Sequence, residues 1–465
     1  MSKSQSLVDN IKALTLEKAI EKVTDILSYS SDKRLMQMAW LFEHIARGEI
    51  GRREARRFRW LIETGHPFKE FIRRIAKETS REARRCFIRS VFVDGIFLKS
   101  QQKKAFADVH GFSPPNLVVI SPTQRCNMMC EGCWAGEYER NTDMPIETVY
   151  KIVKEGHDEM YMRLFVITGG EPFVRDDLME LYSDFHDCCF IIYTNGTLID
   201  DEVAKRLGEL GNVIPCVSLE GNREMTDARR GPGIYDEVMR VFKRLRDNGV
   251  IFGFSATATR HNIDYLGSDE WIESIIKAGC HIGWYFQYIP IGRNPSTSMM
   301  PTPEQRGKFR KRVYAQRNEH PIFVVDFWND GPIAGGCIAG GRVYLHINTD
   351  GDIEPCVFAH FAVDNINNTT LLEALQSDFF KAIRENIPYD GNLLRACMII
   401  DRPERLRKYF KDYNAHATHP GGETLLGDLA DDIDKYSKGV KELYDPCWHK
   451  GDYMAHFPMP PDDYK

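Results

Sequence analysis

The spacing of apolar positions divides the 465-residue chain into three parts. Over residues 1–112 apolar side chains recur at helical spacing, for example in residues 7–27, which predicts a helical N-terminal domain. Residues 113–329 alternate short apolar runs with amphipathic stretches, and this alternation predicts a parallel sheet whose strands are joined by helices. The alternation then stops, so residues 330–465 are predicted to form a separate C-terminal domain.

Six short apolar runs are the predicted strands of the middle domain. They cover residues 117–121, 164–168, 190–193, 213–219, 251–257 and 284–289. A seventh run, residues 322–325, is predicted to close the edge of the sheet. In the C-terminal domain residues 342–347 alternate as a strand, and a hairpin turn is predicted at residues 349–352. In a parallel sheet of this kind the functional loops lie at the carboxyl ends of the strands.

The composition is typical of a globular protein, with 43% hydrophobic and 28% charged residues. The chain contains no run of about 18 apolar residues, so no transmembrane helix is expected. Residues 1–10 lack the apolar core of a secretion signal, so a cytoplasmic location is expected. Twelve cysteines in a chain without such a signal indicate metal or redox chemistry rather than disulfides.

Positive charge is concentrated near the N-terminus. Residues 47–104 contain 17 Lys and Arg against 7 Asp and Glu, a local charge of +10, while the whole chain carries −6. The basic amphipathic stretch at residues 58–77 has two interpretations. The favoured one is a helical cap that packs on the next domain, and the alternative is peripheral contact with an anionic membrane surface. No nucleic-acid partner is expected.

Three cysteines stand at CxxxCxxC spacing just after the first predicted strand: Cys126, Cys130 and Cys133. Thiolates grouped on one short loop suit a soft metal ion or an iron–sulfur cluster. The spacing differs from that of a zinc finger, which needs a second ligand pair. Three ordinary buried cysteines are the alternative.

A second motif, Gly169-Gly170-Glu171-Pro172, follows the second predicted strand. Glycines at this position let backbone amides and carbonyls approach a ligand closely. A carboxylate beside them can accept a hydrogen bond from an ammonium group. By itself the motif is also compatible with a plain turn.

Weaker signals follow the third and fourth predicted strands. Asn195 lies in a Thr-Asn-Gly-Thr stretch, and Ser218 and Glu220 end the fourth strand. Arg229 and Arg230 come shortly after, and an arginine can form a bidentate pair with a carboxylate. Each of these residues could equally make only structural hydrogen bonds on its loop.

The CxxxCxxC loop and the downstream GGEP stretch together resemble the signature of the radical SAM superfamily. The resemblance covers about residues 117–400. It implies a partial (β/α)6 barrel of the TIM type, with an N-terminal helical domain and a C-terminal α+β extension. It also implies a 4Fe–4S cluster held by Cys126, Cys130 and Cys133, with S-adenosylmethionine (SAM) bound at the fourth iron.

The same resemblance implies roles for residues on the other loops. Glu171 and the two glycines hold the methionyl amine of SAM, while Arg230 is favoured over Arg229 as the partner of its carboxylate. The implied cofactor-binding residues are Gly169, Gly170, Glu171, Pro172, Asn195, Ser218, Glu220 and Arg230. The chain departs from the family where an aromatic residue often precedes the third cysteine, because Gly132 stands there. Trp134 is predicted to pack beneath the cluster instead.

The C-terminal cysteines resemble those of a SPASM or twitch domain, which implies a second, auxiliary 4Fe–4S cluster. Its implied ligands are Cys337, Cys356 and Cys397. Cys447 is the candidate fourth ligand, and an open position for substrate is the alternative. The remaining cysteines are predicted to lie in the core, namely Cys86, Cys188, Cys189, Cys216 and Cys280. His346 and His360 are predicted to be structural.

The implied activity is reductive cleavage of SAM to a 5′-deoxyadenosyl radical that abstracts hydrogen from an unactivated carbon. The substrate class is expected to be a peptide or a lipid, the net reaction an oxidation or the formation of a C–C or C–S bond, and the electron donor a ferredoxin or flavodoxin. The alternative is an iron–sulfur protein that binds SAM or transfers electrons without radical turnover.

Overall fold

The computed structural model describes residues 48–90, 99–136 and 141–451, together with residues 31, 32, 35, 36, 39, 453 and 460. The helix predicted over residues 7–27 lies outside the described part of the chain. The strands, in chain order, are β1 (Leu117–Ile120), β2 (Leu164–Ile167), β3 (Cys189–Thr194), β4 (Val213–Ser218), β5 (Gly253–Ala258), β6 (Ile282–Gln287), β7 (Phe323–Asp326), β8 (Tyr344–Ile347), β9 (Asp352–Glu354), β10 (Phe361–Ala362), β11 (Asp364–Asn365) and β12 (His416–Ala417).

Ten of these strands form one sheet, in the order β11-β9-β8-β1-β2-β3-β4-β5-β6-β7. From β1 to β7 every neighbouring pair is parallel, and helices connect the strands. The predicted α/β fold with six strand–helix units is therefore confirmed. The seventh apolar run forms β7, which lies at the edge of the sheet as expected.

The C-terminal part of the chain extends the same sheet. Strand β8 pairs in parallel with β1, so that Leu117 lies opposite Tyr344 and Ile120 opposite Ile347. Strand β9 returns antiparallel to β8 and completes the predicted hairpin. The sheet thus continues across the predicted domain boundary at residue 330, and one hydrophobic core includes both Val118 and Leu345.

The helices, in chain order, are α1 (Gly48–Glu63), α2 (Phe68–Glu78), α3 (Arg81–Ile88), α4 (Lys99–His110), α5 (Ile146–Asp158), α6 (Leu178–Asp184), α7 (Asp201–Leu210), α8 (Arg223–Arg230), α9 (Ile234–Asp247), α10 (Ile263–Leu266), α11 (Asp269–Ala278), α12 (Pro303–Glu319), α13 (Gly331–Ala334), α14 (Leu371–Gln376), α15 (Asp378–Glu385), α16 (Pro403–Asp412) and α17 (Ala430–Lys450). None of the helices that the structure describes is long and apolar enough to cross a membrane.

Local sequence signals explain where several helices begin. The side chain of Asp200 accepts a hydrogen bond from the first turn of α7, and Ser268 does the same for α11. Thr302 and Gln305 form a reciprocal capping box at the start of α12. Ser377 ends α14 and its side chain caps the start of α15, so these two helices follow each other directly.

The N-terminal helices pack beneath the sheet, at the amino ends of its strands. Phe71 and Ile75 of α2 are buried in one cluster with Ile251, which lies just before β5. The amide of Ser80 donates to the carbonyl of Gly249 at 2.7 Å. This packing agrees with the favoured interpretation of these helices as a cap, and it places them opposite the loops that carry the cysteine motif.

Most cations of α2 already have partners. Lys69 pairs with Asp32 at 2.8 Å, and Arg73 pairs with Glu70 at 3.1 Å. Arg74 is buried and pairs with Glu78 at 3.1 Å. These ion pairs reduce the positive charge that the helix can present to an anionic surface.

Candidate active site

The cysteine loop leaves the carboxyl end of β1 and lines a cavity, here called the first cavity. Its volume is about 190 Å³, and Cys126, Cys130 and Cys133 all contribute to its wall. Gly169 and Gly170 line the same cavity from the end of β2. The structure therefore brings together the two motifs that sequence spacing could only place on neighbouring loops.

The glycines of the second motif are required by the close approach of the cysteine loop. The amide of Gly170 donates to the carbonyl of Thr123 at 2.8 Å. A Cβ atom at Gly170 would lie 2.2 Å from the carbonyl oxygen of Arg125, and one at Gly169 would lie 2.5 Å from that of Thr123. Gly169 also has a positive φ of 108°, a conformation that side chains disfavour. The glycine pair thus holds the stem of the cysteine loop against β2.

Glu171 is fully buried behind this turn. Its carboxylate accepts hydrogen bonds from the hydroxyl of Thr194 at 2.6 Å, the amide of Asn195 at 2.7 Å and the amide of Phe173 at 3.1 Å. Burial raises the pKa of the carboxyl group, although these donors oppose the shift. The structure therefore gives Glu171 a role in joining the β2 and β3 loops. Its contact with the SAM ammonium stays a prediction.

Asn195 connects the β3 loop to the cysteine loop. Its side-chain amide donates to Asn127 at 2.8 Å and lies 4.0 Å from the sulfur of Cys126. Asn127 in turn donates to the hydroxyl of Thr197 at 2.8 Å. Asn195 also lines the first cavity, so it can both position Cys126 and face a bound ligand.

Glu220 forms a buried ion-pair cluster with two arginines at the end of β4. Its carboxylate accepts from Arg229 at 2.7 Å, from Arg230 at 2.8 Å and from the amide of Thr257 at 3.1 Å. Burial alone would raise the pKa of Glu220, but the two guanidinium groups hold it below its ordinary value. Its carboxylate is therefore already occupied by these donors, whereas Ser218 and both arginines line the first cavity.

The two arginines differ in what else they contact. Arg229 donates to the carbonyl of Glu131 at 3.1 Å and so fixes the backbone of the cysteine loop. The guanidinium of Arg230 lies 3.8 Å from the sulfur of Cys130. Arg230 therefore places a positive charge beside one of the three cysteines of the loop.

Sequence reasoning did not single out three residues that follow or end β6. Arg293 donates to the carbonyl of Cys130 at 3.0 Å, and its amide donates to the carbonyl of Cys133 at 3.0 Å. Gln287 is buried and lines the first cavity, and neither atom of its amide has a partner in the described part of the protein. Their only sequence signal is their place at the carboxyl end of a predicted strand.

The third of these residues, Tyr288, explains how the chain accommodates glycine before the third cysteine. A Cβ atom at Gly132 would lie 2.6 Å from the ring of Tyr288. The tyrosine ring therefore occupies the space that a side chain at position 132 would need, and it lines the first cavity. The aromatic ring beside position 132 therefore comes from Tyr288, which directly follows β6.

Trp134 packs toward the C-terminal hairpin. Its ring centroid lies 5.9 Å from that of His346, 5.8 Å from that of His360 and 6.2 Å from that of Phe358. His346 joins β1 to the hairpin, because one ring nitrogen lies 2.7 Å from the hydroxyl of Ser121 and the other lies 2.6 Å from the carboxylate of Glu354. These contacts fit the structural role predicted for His346.

A second cavity lies between β7, β8 and the C-terminal loops. Its volume is about 280 Å³, and Cys337, Cys356 and Cys397 all line it. The sulfur of Cys397 accepts from the amide of Ile399 at 3.3 Å. Burial raises the pKa of all three thiols, that of Cys356 to about 12, so a bound metal would have to displace their protons.

Cys447 does not join these three cysteines. It lies in α17, where it packs against a small cluster that includes Leu394 and Tyr444. It is not among the residues that line the second cavity. The suggestion of Cys447 as fourth ligand is therefore not supported, because the course of α17 directs it into a different apolar contact.

Four of the five remaining cysteines lie in the core as predicted. Cys188, Cys189, Cys216 and Cys280 are buried, and Cys86 is half-buried on α3. The two cavities, by contrast, each carry three thiols together with nearby hydrogen-bond donors. Such donor sets fit iron–sulfur clusters, which are held by cysteine thiolates and tuned by hydrogen bonds to sulfur. The unpartnered amide of Gln287 fits a polar ligand in the first cavity.

Comparison with known proteins agrees with this geometry. Residues 120–278 match the model of the radical SAM superfamily, and residues 337–398 match that of the SPASM iron–sulfur cluster-binding domain. The mycofactocin maturase MftC of Mycolicibacterium smegmatis is 30% identical over 307 residues, which cover 62% of this chain and 76% of the relative. The chain belongs to the radical SAM superfamily.

A second relative and a solved structure agree with this result. The AdoMet-dependent heme synthase of Oleidesulfovibrio alaskensis is 27% identical over 308 residues, which cover 59% of this chain and 78% of the relative. The crystal structure of SuiB from Streptococcus suis with S-adenosylmethionine superposes with a TM-score of 0.54 at 18% identity, covering 71% of this chain and 87% of SuiB. The latter likeness concerns the fold.

Membership of the superfamily settles the cofactors. A radical SAM core binds a 4Fe–4S cluster and SAM, and a SPASM domain binds an auxiliary iron–sulfur cluster. The first cavity carries the cysteine loop of the radical SAM core, and the second carries the three cysteines of the SPASM region.

Proposed function

We propose that this radical SAM enzyme modifies an uncharged, apolar group of a peptide, bound in the first cavity. The observation that carries the proposal is the lining of that cavity. Apart from the cysteines its wall is largely apolar and includes many aromatic rings, among them Trp134, Tyr193, Trp284, Phe286, Phe327 and Phe358. Aromatic walls favour apolar and aromatic groups, because these gain by leaving water.

The distribution of charge supports an uncharged reacting group. Among the described residues of the lining the charged side chains are Arg229 and Arg230, and both pair with Glu220. A carboxylate or ammonium group of the substrate would find no unpaired charged partner among the described residues of the first cavity. The charged side chains of the lining lie beside the proposed SAM site and already pair with Glu220. Burying such a charge without a partner is costly.

The chain's own residues hold the reactants and exclude water. When bound, the first cluster and SAM supply a 5′-deoxyadenosyl radical that takes a hydrogen atom from carbon. The GGEP turn, Ser218 and the unpartnered amide of Gln287 are proposed to hold SAM, with Arg230 placed to meet its carboxylate. The aromatic walls orient the substrate group beside it and keep the site dry.

The second cavity is the reason for proposing an oxidation, because it is the proposed site of an electron-accepting cluster. It shares wall residues with the first cavity, among them Trp284, Phe327 and Tyr344. A cluster held by Cys337, Cys356 and Cys397 would supply a one-electron acceptor close to the substrate. The proposed net reaction is therefore an oxidation, including the formation of a C–C or C–S bond.

Solved structures of the same fold support a peptide as the substrate. Solved structures include SuiB bound to the precursor peptide SuiA, with a TM-score of 0.53, and anSMEcpe bound to AdoMet and a Cp18Cys peptide, also with a TM-score of 0.53. A lipid would fit the apolar walls as well. However, the basic helix that suggested a membrane-surface substrate has most of its cations in ion pairs.

The proposal is tested with the anaerobically reconstituted enzyme, SAM and a reductant. The peptide probes are synthetic copies of short peptides encoded next to the gene. We expect 5′-deoxyadenosine, and a mass change in one peptide that is confined to an apolar side chain. Replacing Cys126, Cys130 and Cys133 by Ala should abolish both. Absence of 5′-deoxyadenosine under all conditions would instead favour a SAM-binding or electron-transfer protein without radical turnover.

A tetrapyrrole substrate is the second candidate, because several relatives carry such names. The Fe-coproporphyrin III synthase of Methanosarcina barkeri is 34% identical over 151 residues, which cover 38% of that protein. Such a substrate carries several carboxylates, for which the described lining offers no unpaired cation. Titration with Fe-coproporphyrin III, followed by its visible absorbance, should show no saturable binding, and tight binding would favour this candidate.

A ferredoxin or flavodoxin is the proposed source of the electron for the first cluster. Such a donor needs access to the cysteine loop, and Met129 in that loop is 71% exposed. Peripheral contact with an anionic membrane has less support from the structure, since the cations of α2 are largely paired. Reduction of the enzyme by purified flavodoxin and its reductase, followed by 5′-deoxyadenosine formation, tests the donor.

A further inference from the structure

Tyr344 lines both cavities, and its side chain contacts Cys356, one of the cysteines proposed to hold the auxiliary cluster. It lies at the start of β8, is 2% exposed, and lines both the first and the second cavity. Its backbone is fixed by the parallel pairing of β8 with β1, where it lies opposite Leu117. Its place is therefore determined by the sheet rather than by a mobile loop.

The phenol of Tyr344 makes a short hydrogen bond to sulfur. Its hydroxyl donates to the sulfur of Cys356 at 2.8 Å, while the amide of Phe358 approaches the same sulfur at 3.5 Å. The sulfur of Cys397 accepts from the backbone amide of Ile399. Of these three contacts to cysteine sulfur, the one from the Tyr344 hydroxyl is the shortest, and its donor belongs to a side chain rather than to the backbone.

An aromatic path leads from the substrate walls to this hydroxyl. The ring of Phe286 lies 5.3 Å from that of Phe327, and the ring of Phe327 lies 5.8 Å from that of Tyr344. Phe286 faces the first cavity, whereas Phe327 and Tyr344 line both. Tyr344 thus stands where the substrate cavity meets the auxiliary site.

A hydrogen bond to a ligating sulfur acts on the redox state of a cluster. The reduced cluster carries one more negative charge, so a donor at sulfur stabilises the reduced form more than the oxidised form. Burial strengthens this effect, because little water is present to screen the charge. The hydroxyl of Tyr344 meets both conditions.

We infer that Tyr344 is a positioning residue which raises the reduction potential of the auxiliary cluster through its hydrogen bond to Cys356, and so makes that cluster a better one-electron acceptor on the substrate side. A cluster held there would take up one electron, which the substrate radical would lose together with a proton, while the phenol of Tyr344 would keep its own proton. The inference rests on the three-cysteine site, while its use in substrate oxidation rests on the proposed function.

The test is a redox titration of Tyr344→Phe with dithionite, followed by electron paramagnetic resonance. The reconstituted enzyme with both clusters is used, and the signal of the first cluster is identified by its response to SAM. We expect the auxiliary cluster to become harder to reduce by about tenfold, which corresponds to about 59 mV for one electron. An unchanged potential in a variant with full iron content would overturn the inference.

Tyr193→Phe is the matched control, because Tyr193 lines the first cavity but is not among the described lining residues of the second. It should leave the auxiliary potential unchanged. If Tyr344→Phe loses iron, 3-fluorotyrosine at position 344 decides the question. Its more acidic hydroxyl is a stronger donor, so the potential should rise, and no rise would overturn the inference. Neither measurement needs a substrate, so failure of the proposed function would not affect the result.

Discussion

The guanidinium of Arg230 lies 3.8 Å from the sulfur of Cys130 while it also donates to the carboxylate of Glu220. Glu220 is 1% exposed and additionally accepts from Arg229. The cysteine loop is therefore held by a buried cluster of charges in which one carboxylate serves two arginines. Removing the carboxylate leaves both cations without compensation.

Glu220→Gln should lower the free energy of unfolding by about 3 kcal/mol, since breaking a buried ion pair leaves an uncompensated charge. The measurement is urea-induced unfolding of the metal-free protein at neutral pH. Asp236→Asn is the control, because it removes the carboxylate of an exposed pair with Arg223 and should change stability little. Equal effects of the two substitutions would contradict the buried charge cluster.

The stabilisation from Glu220 should also depend on pH. Its pKa lies below the ordinary value of 4.5 in the folded protein, so the stabilisation is present above that value and is lost as the pH falls through the folded pKa. The difference in unfolding free energy between wild type and Glu220→Gln should therefore be full at neutral pH and shrink under acid conditions. A difference that grows on acidification would have the wrong sign.

Gly170→Ala should displace the cysteine loop. The added Cβ atom would lie 2.2 Å from the carbonyl oxygen of Arg125, and backbone cannot yield as cheaply as a side chain. We expect reduced iron incorporation at the first site after reconstitution, measured as iron per chain. Gly427→Ala is the control, because its Cβ atom would meet the carbonyl of Glu423 only at 3.9 Å. It should retain the iron content of the wild type.

Glu171→Gln tests the predicted contact with SAM. The substitution keeps the shape but removes the charge. It also replaces one acceptor oxygen by an NH2 group, which would face a donor of Thr194 or Asn195. SAM affinity should fall roughly ten- to a hundredfold, as expected for a lost charge-assisted hydrogen bond. Calorimetry on reconstituted protein measures this, with cluster absorbance recorded in parallel. Unchanged affinity with an intact cluster would exclude a contribution of Glu171 to SAM binding.

The iron content of cysteine variants tests which cysteines hold each cluster. Wild-type protein should hold about eight irons per chain, and the Ala variant of Cys126, Cys130 and Cys133 should hold about four. Cys447→Ala should keep about eight, because this cysteine packs against Leu394 away from the second cavity. Loss of about four irons from Cys447→Ala would restore it as a ligand.

The sequence predicted those features whose residues lie close together in the chain. The CxxxCxxC loop and the GGEP turn follow predicted strands, and the parallel sheet places such loops at one edge. Contacts between distant segments could not be predicted in this way. Arg293 reaches the carbonyl of Cys130, and Tyr288 fills the space beside Gly132, although both residues follow β6 far along the chain.

Other features of the structure also depend on packing that no local pattern shows. Cys447 has the residue type of a ligand, but only the packing of α17 shows that it faces an apolar cluster. Helix α17 itself was not predicted, because its buried positions Ile433, Val440 and Tyr444 are widely separated among charged residues. The hydrogen bonds of Glu171 to Thr194 and Asn195 were likewise not predicted, because these partners lie at and just after the end of β3, away from the GGEP motif.

The pairing of β8 with β1 makes the SPASM region indispensable to the core it follows. A chain cut before β8 would leave β1 with a bare edge, because β1 pairs with β2 on its other side. Exposed edge strands recruit other chains and promote aggregation. Separate expression of the two halves is therefore expected to yield insoluble fragments, so that soluble protein needs both halves in one chain.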